Sequence, residues 1–150
     1  MEQKRKILPP VYLLAALGAM AALHYTAPLL KFIPSPWRYA GVLLIAAGVA
    51  VAITAALSFK RAGTAVIPFE PSTALVTDGL YNITRNPMYL GMILVLGGAA
   101  LLFGSLSAWI PVPLFYWIIN TNFIRGEERF LEEIFGEQYM QYKRKVRRWL

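Results

Sequence analysis

The chain has 150 residues, 57% of them hydrophobic and only 15% charged, with a mean hydropathy of +0.50 and a formal net charge of +7. That is too apolar for an ordinary soluble domain of this length and places the chain in a bilayer. With no cysteine and one histidine, disulfides, thiolate metal sites and Cys nucleophiles are excluded and no metal centre is expected; the basic residues flank long apolar runs, where anionic lipid and membrane orientation account for them, and no basic stripe with interleaved aromatics is left for nucleic acid.

Lys4-Arg5-Lys6 precede an apolar run from Ile7 to Leu30. At roughly 24 residues, without an evident small-residue cleavage site, this run reads as a retained transmembrane helix rather than a signal peptide. Pro9 and Pro10 fall in its first turn, where a missing N–H costs least. His24 is an ionisable group near the far end of this span; the simpler reading is a neutral imidazole bonded to a neighbouring helix near the interface. A connection holding Lys31, Pro34, Pro36 and Arg38 leads to a second span, Tyr39 to Phe59. Its Ala46, Ala50 and Thr54, and its Gly48, Ala52 and Ala56, recur at four-residue spacing, which predicts faces where helix backbones approach closely. Residues 1–60 are expected to form a two-helix transmembrane scaffold, with the chemistry in residues 61–150 of one structural domain.

From Lys60 to Asn86 the chain turns polar, with Arg61, Glu70, Asp78 and Arg85 among the turn-formers Gly63, Pro68, Pro71 and Gly79. A connector of this length is expected to be ordered and functional. Val66-Ile67-Pro68-Phe69 and Leu75-Val76 are expected against the membrane surface, and Thr77-Asp78-Gly79 in a turn. Pro87 then fixes its own φ and disfavours the α conformation at Asn86, which predicts a helix starting at Pro87 with Asn86 as its cap. Arg85 and the first-turn amides converge there, and together they suit a carboxylate or phosphate. The same residues equally suit an arginine anchoring a helix at headgroup level, and residue types alone leave both readings open.

A third span is expected from Pro87 to Phe103 and a fourth from Ala108 to Ile124, each near the lower limit for crossing. The short link Gly104-Ser105-Leu106-Ser107 makes them a tight antiparallel hairpin, returning Asn120 and Asn122 to the face of Arg85. Placing the N-terminus, the 60–87 loop and the C-terminus on one side collects every Lys and Arg except Lys31 and Arg38, together with all the acidic residues. That side is expected to be cytoplasmic, giving an all-α membrane protein of about four transmembrane helices with both termini inside. Beyond Arg125, the residues Leu131, Phe135, Tyr139, Tyr142, Val146 and Trp149 step by three or four, which predicts an amphipathic, interfacial helical region bent or broken at Gly136. Glu127 and Glu128 fall nearest the hairpin mouth and Arg85. Glu132, Glu133 and Glu137 read as solvated charge, with a weak Arg129–Glu133 pair.

The pattern Gly79-x-Tyr81-x-x-x-Arg85-Asn86-Pro87-x-Tyr89-x-Gly91, followed after a hydrophobic hairpin by Glu127-Glu128-x-x-Leu131-x-x-x-Phe135-Gly136-x-x-Tyr139-x-x-Tyr142, resembles the isoprenylcysteine carboxyl methyltransferase and phospholipid methyltransferase superfamily over roughly residues 66–150. The resemblance implies an integral-membrane enzyme that takes S-adenosylmethionine from the cytosol and a lipid-like acceptor from the bilayer. Its Arg-His-Pro-type motif and paired glutamates map the cofactor pocket onto Tyr81, Arg85, Asn86, Pro87, Tyr89, Gly91, Glu127 and Glu128. Asn86 stands where many members carry His. Arg85, Arg125 and Glu127 are then the catalytic candidates, and Tyr89, Asn120 and Arg129 the acceptor-binding ones. A carboxylate acceptor wants a cation such as Arg85, Arg125 or Arg129 to position it; an amine acceptor needs a base such as Glu127 or Glu128. The acceptor's tail is expected to enter from the cytoplasmic leaflet between spans two and four. The alternatives are an NADPH-dependent, sterol-reductase-like membrane enzyme, and a non-enzymatic membrane scaffold without cofactor affinity.

Overall fold

The computed structural model describes residues 8–64 and 73–150. The expectations for Lys4-Arg5-Lys6, Val66-Ile67-Pro68-Phe69, Glu70 and Pro71 lie outside the described residues. What is described is helical: α1 (Pro9–Thr26), α2 (Ala40–Arg61), α3 (Pro87–Phe103), α4 (Pro111–Ile119), α5 (Arg125–Phe135) and α6 (Glu137–Lys145), joined by 3₁₀ turns at Trp37–Tyr39, Gly79–Asn82 and Leu106–Trp109 and by a π turn at Asn120–Ile124.

Proline sets several of these boundaries. Pro9 and Pro10 open α1, Pro87 opens α3 behind Asn86, and Pro111 opens α4, each at a position whose N–H has no helical partner. The first helix stops at Thr26, short of the expected Leu30, because Pro28 disfavours the α conformation at Ala27, whose φ is −141°. The fourth begins at Pro111 rather than Ala108, since Leu106–Trp109 winds as a 3₁₀ turn. Gly136 supplies the expected break, with φ 49° and ψ −124° between α5 and α6.

The closest helix approach is between α2 and α3, rather than between α3 and α4. Gly41 and Gly48 of α2 meet Gly98 and Gly91 of α3 in antiparallel register: a Cβ built on Gly48 would lie 2.5 Å from the Gly91 carbonyl oxygen, and one on Gly91 would lie 2.5 Å from that of Gly48. The contact therefore repeats every seven residues, through Gly41, Gly48 and Ala55, all buried on α2. Of the two rows expected at four-residue spacing, Gly48, Ala52 and Ala56 lie at or beside this seam, whereas Ala46, Ala50 and Thr54 are exposed. On its other side α3 packs against α1 and α4, enclosing Met20, Tyr89, Met92, Leu96, Phe115, Ile119 and Phe123.

The segment Trp37–Arg61 is long and apolar enough to cross a membrane, and only 11% of its most apolar window is buried inside the protein. An apolar surface left so open is suited to lipid rather than water. The helix Pro87–Phe103 is a shorter apolar helix; among the described residues no other meets the length and composition of a span.

The two ends of the molecule differ. At one, residues 29–32 meet residues 104–106: Leu106 N–H donates to the Leu29 carbonyl at 2.9 Å and Phe32 N–H to that of Gly104 at 3.1 Å. His24 sits there with Nδ1 2.8 Å from the Ser105 hydroxyl, so its partner is the link after α3 and not the neighbouring helix expected. At the other end Ala55, Val76, Tyr81, Tyr139, Tyr142 and Val146 form a second core, bringing α2's last turns, the approach to α3 and α6 together. That end holds the candidate site.

Candidate active site

Two chain segments build the site. The first is Thr84-Arg85-Asn86, kept out of the helix ahead of α3 because Pro87 disfavours the α conformation at Asn86, whose φ is −130° and ψ 52°. The second is α5, whose first turn carries Glu127 and Glu128. The helix from Pro111 to Phe135 runs without interruption through the π turn at Asn120–Ile124, which carries α5 directly over the start of α3. Such wide turns recur at functional positions in helices.

Glu128 is the centre, and its side chain is 8% exposed. Arg148 grips it with both edges of a fork, Nε to Oε1 at 3.0 Å and Nη2 to Oε2 at 2.6 Å. Arg85, 9% exposed, reaches Oε1 through Nη2 at 3.2 Å. A carboxylate this deep is tolerated because two guanidinium groups replace its water. Arg85 is not itself saturated: its Nε and Nη1 are buried and have no hydrogen-bond partner among the described residues. Buried donors without a partner are rare in folded proteins and mark a place able to receive an acceptor. Beside this cluster the Tyr89 hydroxyl donates to Glu127 Oε1 at 2.7 Å.

A third segment, which sequence reasoning did not find, closes the site. The helical spacing of Tyr142, Val146 and Trp149 predicted a continuing helix, but α6 ends at Lys145 and Val146 turns extended at φ −117°, ψ 130°. Residues 146–150 then cross over the start of α3 as a strap. Arg85 N–H donates to the Arg147 carbonyl at 2.9 Å, and the Thr84 hydroxyl and the Asn86 amide donate to the Arg148 carbonyl at 3.0 and 2.9 Å. Asn86 is thus the cap residue of α3 by position, but its side chain makes no cap bond and holds the strap instead. Arg148 Nη1 also contacts Asn120 Oδ1 at 3.4 Å. Trp149 packs on Tyr116, ring centroids 5.1 Å apart.

Burial and the charges of the Arg85–Glu128 cluster shape the two nearby tyrosines of α6. Burial, and then the neighbouring Glu128 charge, push Tyr139 up to about 12, against an opposing pull from Arg85. Tyr142 is also raised, chiefly by burial, and its hydroxyl donates to the Tyr81 carbonyl at 2.7 Å. The fork to Glu128 raises Arg148 further above its already high value. Both tyrosine hydroxyls are therefore neutral at ordinary pH, and that of Tyr142 is a donor.

Of the residues expected at the site, Arg85, Glu128, Asn86, Tyr89, Glu127 and Asn120 are brought together. Pro87 is buried at the helix start, and Tyr81 is buried against Phe59 and Tyr142. Gly91 faces α2 across the glycine seam. Arg125 and Arg129 are exposed, Arg129 Nε donating to the Arg125 carbonyl at 3.3 Å. The expected Arg129–Glu133 pair is replaced by that bond, and Glu132 pairs with Lys143 of α6, the turn at Gly136 having brought the two helices side by side. Among the described residues no group of three or more His, Asp or Glu could hold a metal ion.

The sequence model of the phospholipid methyltransferase family matches residues 37–138, taking in α2, the Arg85 segment and the paired glutamates. Among curated proteins, the chain is 32% identical over 109 residues to protein-S-isoprenylcysteine O-methyltransferase B of Arabidopsis thaliana, covering 71% of this chain and 55% of that protein. It is 36% identical over 72 residues to the protein-S-isoprenylcysteine O-methyltransferase of Schizosaccharomyces pombe, covering 48% and 30%. It is 46% identical over 63 residues to an uncharacterized protein of Haemophilus influenzae, covering 42% of this chain and 100% of that one. The chain thus spans about a third to a little over half the length of these two methyltransferases. No solved structure matches it. With more than half of its residues inside the family match, including the buried Arg85–Glu128 cluster, the chain belongs to the phospholipid methyltransferase family.

Proposed function

We propose that this chain is a membrane-embedded methyltransferase that uses S-adenosylmethionine and acts on a lipophilic acceptor, of the prenylcysteine-carboxylate type. The observation that carries the reading is Arg85, buried beside Glu128 with two N–H groups that have no partner among the described residues. A cofactor with a carboxylate fits those donors, and its ribose hydroxyls and amino group fit the carboxylate of Glu127, which Tyr89 orients. The names of the isoprenylcysteine relatives support the carboxylate acceptor over a phospholipid amine.

When bound, the cofactor supplies a methyl carbon already activated by a positive sulfur. This chain's part is then to bind, orient and exclude water. Arg85 fixes the cofactor's acid end, the Tyr89–Glu127 pair fixes its polar flank, and the strap roofs the site. Arg125, one turn beyond Asn120, and Arg129, one turn further on, are exposed and placed to hold an anionic acceptor head at headgroup level. A carboxylate needs no base; an amine would need Glu127 to take its proton.

The membrane arrangement that accompanies this reading has α1, α2, α3 and the α4 run crossing, with residues 60–86 and 125–150 on the cytoplasmic side. Every described Lys and Arg except Lys31 and Arg38 supports that orientation. The acceptor's tail enters between α2 and α4, so tail-less head groups are poor substrates.

Calorimetric titration of the detergent-solubilised protein with S-adenosylmethionine and with NADPH tests the reading. Binding of the first and not the second is expected, weakened about ten- to a hundredfold by Arg85→Ala, the cost of a lost charge-assisted contact. A folded protein that binds NADPH instead points to a reductase, and one that binds neither points to a scaffold; either overturns the proposal.

A further inference from the structure

We infer that Arg148 is a positioning residue that keeps Arg85 available, by occupying the carboxylate that would otherwise neutralise it. The inference rests on the reading of Arg85 as the anchor of a ligand carboxylate, and concerns a residue beyond the family match, which ends at residue 138.

The argument is one of competition for Glu128. A guanidinium and a carboxylate left alone in a buried site pair fork to fork, because two parallel charge-assisted bonds satisfy both ions. Arg85 and Glu128 are already in contact at 3.2 Å, yet they do not pair in this way. Glu128 instead gives both its oxygens to Arg148, at 3.0 and 2.6 Å, and touches Arg85 only at Nη2. Arg85 is left with Nε and Nη1 buried and without a partner among the described residues. The cluster holds two guanidinium groups around one shared carboxylate, so Glu128 offsets part of the positive charge and Arg85 keeps attraction for an incoming anion.

Arg148 is held for this task by its own backbone. Its carbonyl receives both the Thr84 hydroxyl and the Asn86 amide, and Arg85 N–H bonds the preceding carbonyl. The strap is therefore anchored on the segment that carries Arg85, which fixes the spacing of the two guanidinium groups across Glu128. Lysine could not replace Arg148: one ammonium engages a single oxygen and leaves the other free to turn towards Arg85.

A specific sign follows. In Arg148→Ala, Glu128 swings onto Arg85 and fills its free edge, so affinity for S-adenosylmethionine falls about tenfold or more; Arg148→Lys falls in between. Removing the competing charge as well, in Arg148→Ala/Glu128→Gln, frees Arg85 and restores most of the affinity. A residue that merely supports the fold, or touches the ligand directly, gives no such rescue. The ligand-free readout is the Arg85 Nε–H resonance in arginine-¹⁵N-labelled protein in micelles, assigned by its loss in Arg85→Lys. It should move downfield in Arg148→Ala, as a hydrogen bond to Glu128 forms, and return in the double variant. All variants are compared with wild type by thermal unfolding to establish that they are folded. A wild type that binds the cofactor while the double variant binds no better than Arg148→Ala overturns the inference and leaves the proposed function standing. A resonance unmoved by Arg148→Ala overturns it whatever the binding data show. A wild type that binds no S-adenosylmethionine, with the resonance moving and returning as described, refutes the cofactor assignment and upholds the competition.

Discussion

Substituting Gly91 by alanine tests the seam on which the site is mounted. The new methyl group would sit 2.5 Å from the Gly48 carbonyl oxygen and 2.9 Å from both the backbone nitrogen and the Cβ of Ala52, where ordinary contact begins near 3.4 Å. Two of these three atoms are backbone and cannot swing aside, so α2 and α3 must part locally by roughly 1 Å, at an overpacking cost of about 1–3 kcal/mol. Alanine also gains about 1 kcal/mol over glycine in helix propensity, so the bare effect of Gly91→Ala is muted. Gly97→Ala is the control. Its methyl group would meet only the tip of Leu44, at 3.5 Å, and it carries the same propensity gain without the clash. The difference between the two variants isolates the clash, and at about 2–4 °C per kcal/mol for a chain of this size corresponds to a gap of roughly 2–12 °C in thermal midpoint. Tryptophan-fluorescence melting in one detergent measures it. If Gly91→Ala melts at or above Gly97→Ala, the close backbone contact is not what holds α2 to α3.

Other consequences are open to direct measurement. Glu128→Ala strands the buried Arg85 guanidinium and removes the fork partner of Arg148, itself about a third exposed, and should cost about 3–5 kcal/mol, nearly all of it from Arg85, whereas Glu132→Ala, whose pair with Lys143 is about a third exposed on both sides, should stay within about 1 kcal/mol; equal losses by chemical denaturation would refute the ranking. Tyr139 ionises at about 12 in the folded protein against 10.0 ordinarily, so above pH 10 the unfolded chain gives up a proton that the folded one keeps, and stability should fall as pH rises from 10 towards 12. Tyr139→Phe should make that decline shallower in melts taken across the interval; an unchanged slope would contradict the burial of that hydroxyl. A reporter active only outside the cytoplasm should signal when placed between Leu30 and Trp37 and stay silent when fused after residue 150, the reverse pattern overturning the proposed orientation.

The ingredients of the site were legible because each has a local cause. Pro87 forces the helix start that puts Arg85 and Asn86 ahead of α3, Gly136 allows a backbone turn other residues resist, and Glu127 and Glu128 follow the only hydrophobic run that can bring them back. What was not legible depends on partners distant in the chain. The packing face of α2 is ambiguous within α2, where alanine and glycine occur on several faces; only the matching seven-residue spacing of Gly91 and Gly98 on α3 selects Gly41, Gly48 and Ala55. The strap was hidden because Tyr142, Val146 and Trp149 satisfy a helical period as well as they satisfy burial from an extended segment. Arg148 owes its place to its own backbone carbonyl, which accepts from Thr84 and Asn86 and which no side-chain pattern reveals.

The π turn between Asn120 and Ile124 has a geometric consequence for the order of residues along the rod it interrupts. Ile119 and Glu128 are nine residues apart, which in an uninterrupted α-helix is about two and a half turns, leaving them on opposite sides. Both are nevertheless buried, Ile119 completely and Glu128 to within 6%. The wide turn absorbs one residue's worth of rotation, bringing the face that meets oily neighbours and the face that meets the guanidinium groups onto the same side of the molecule. Without it, Glu127 would take the angular place that Glu128 holds, Gly126 would lie opposite Tyr89, and the hydroxyl there would have no carboxylate to meet. The phase of a single helix thus decides which of two adjacent, chemically identical side chains is the buried counter-ion and which is left to accept from Tyr89.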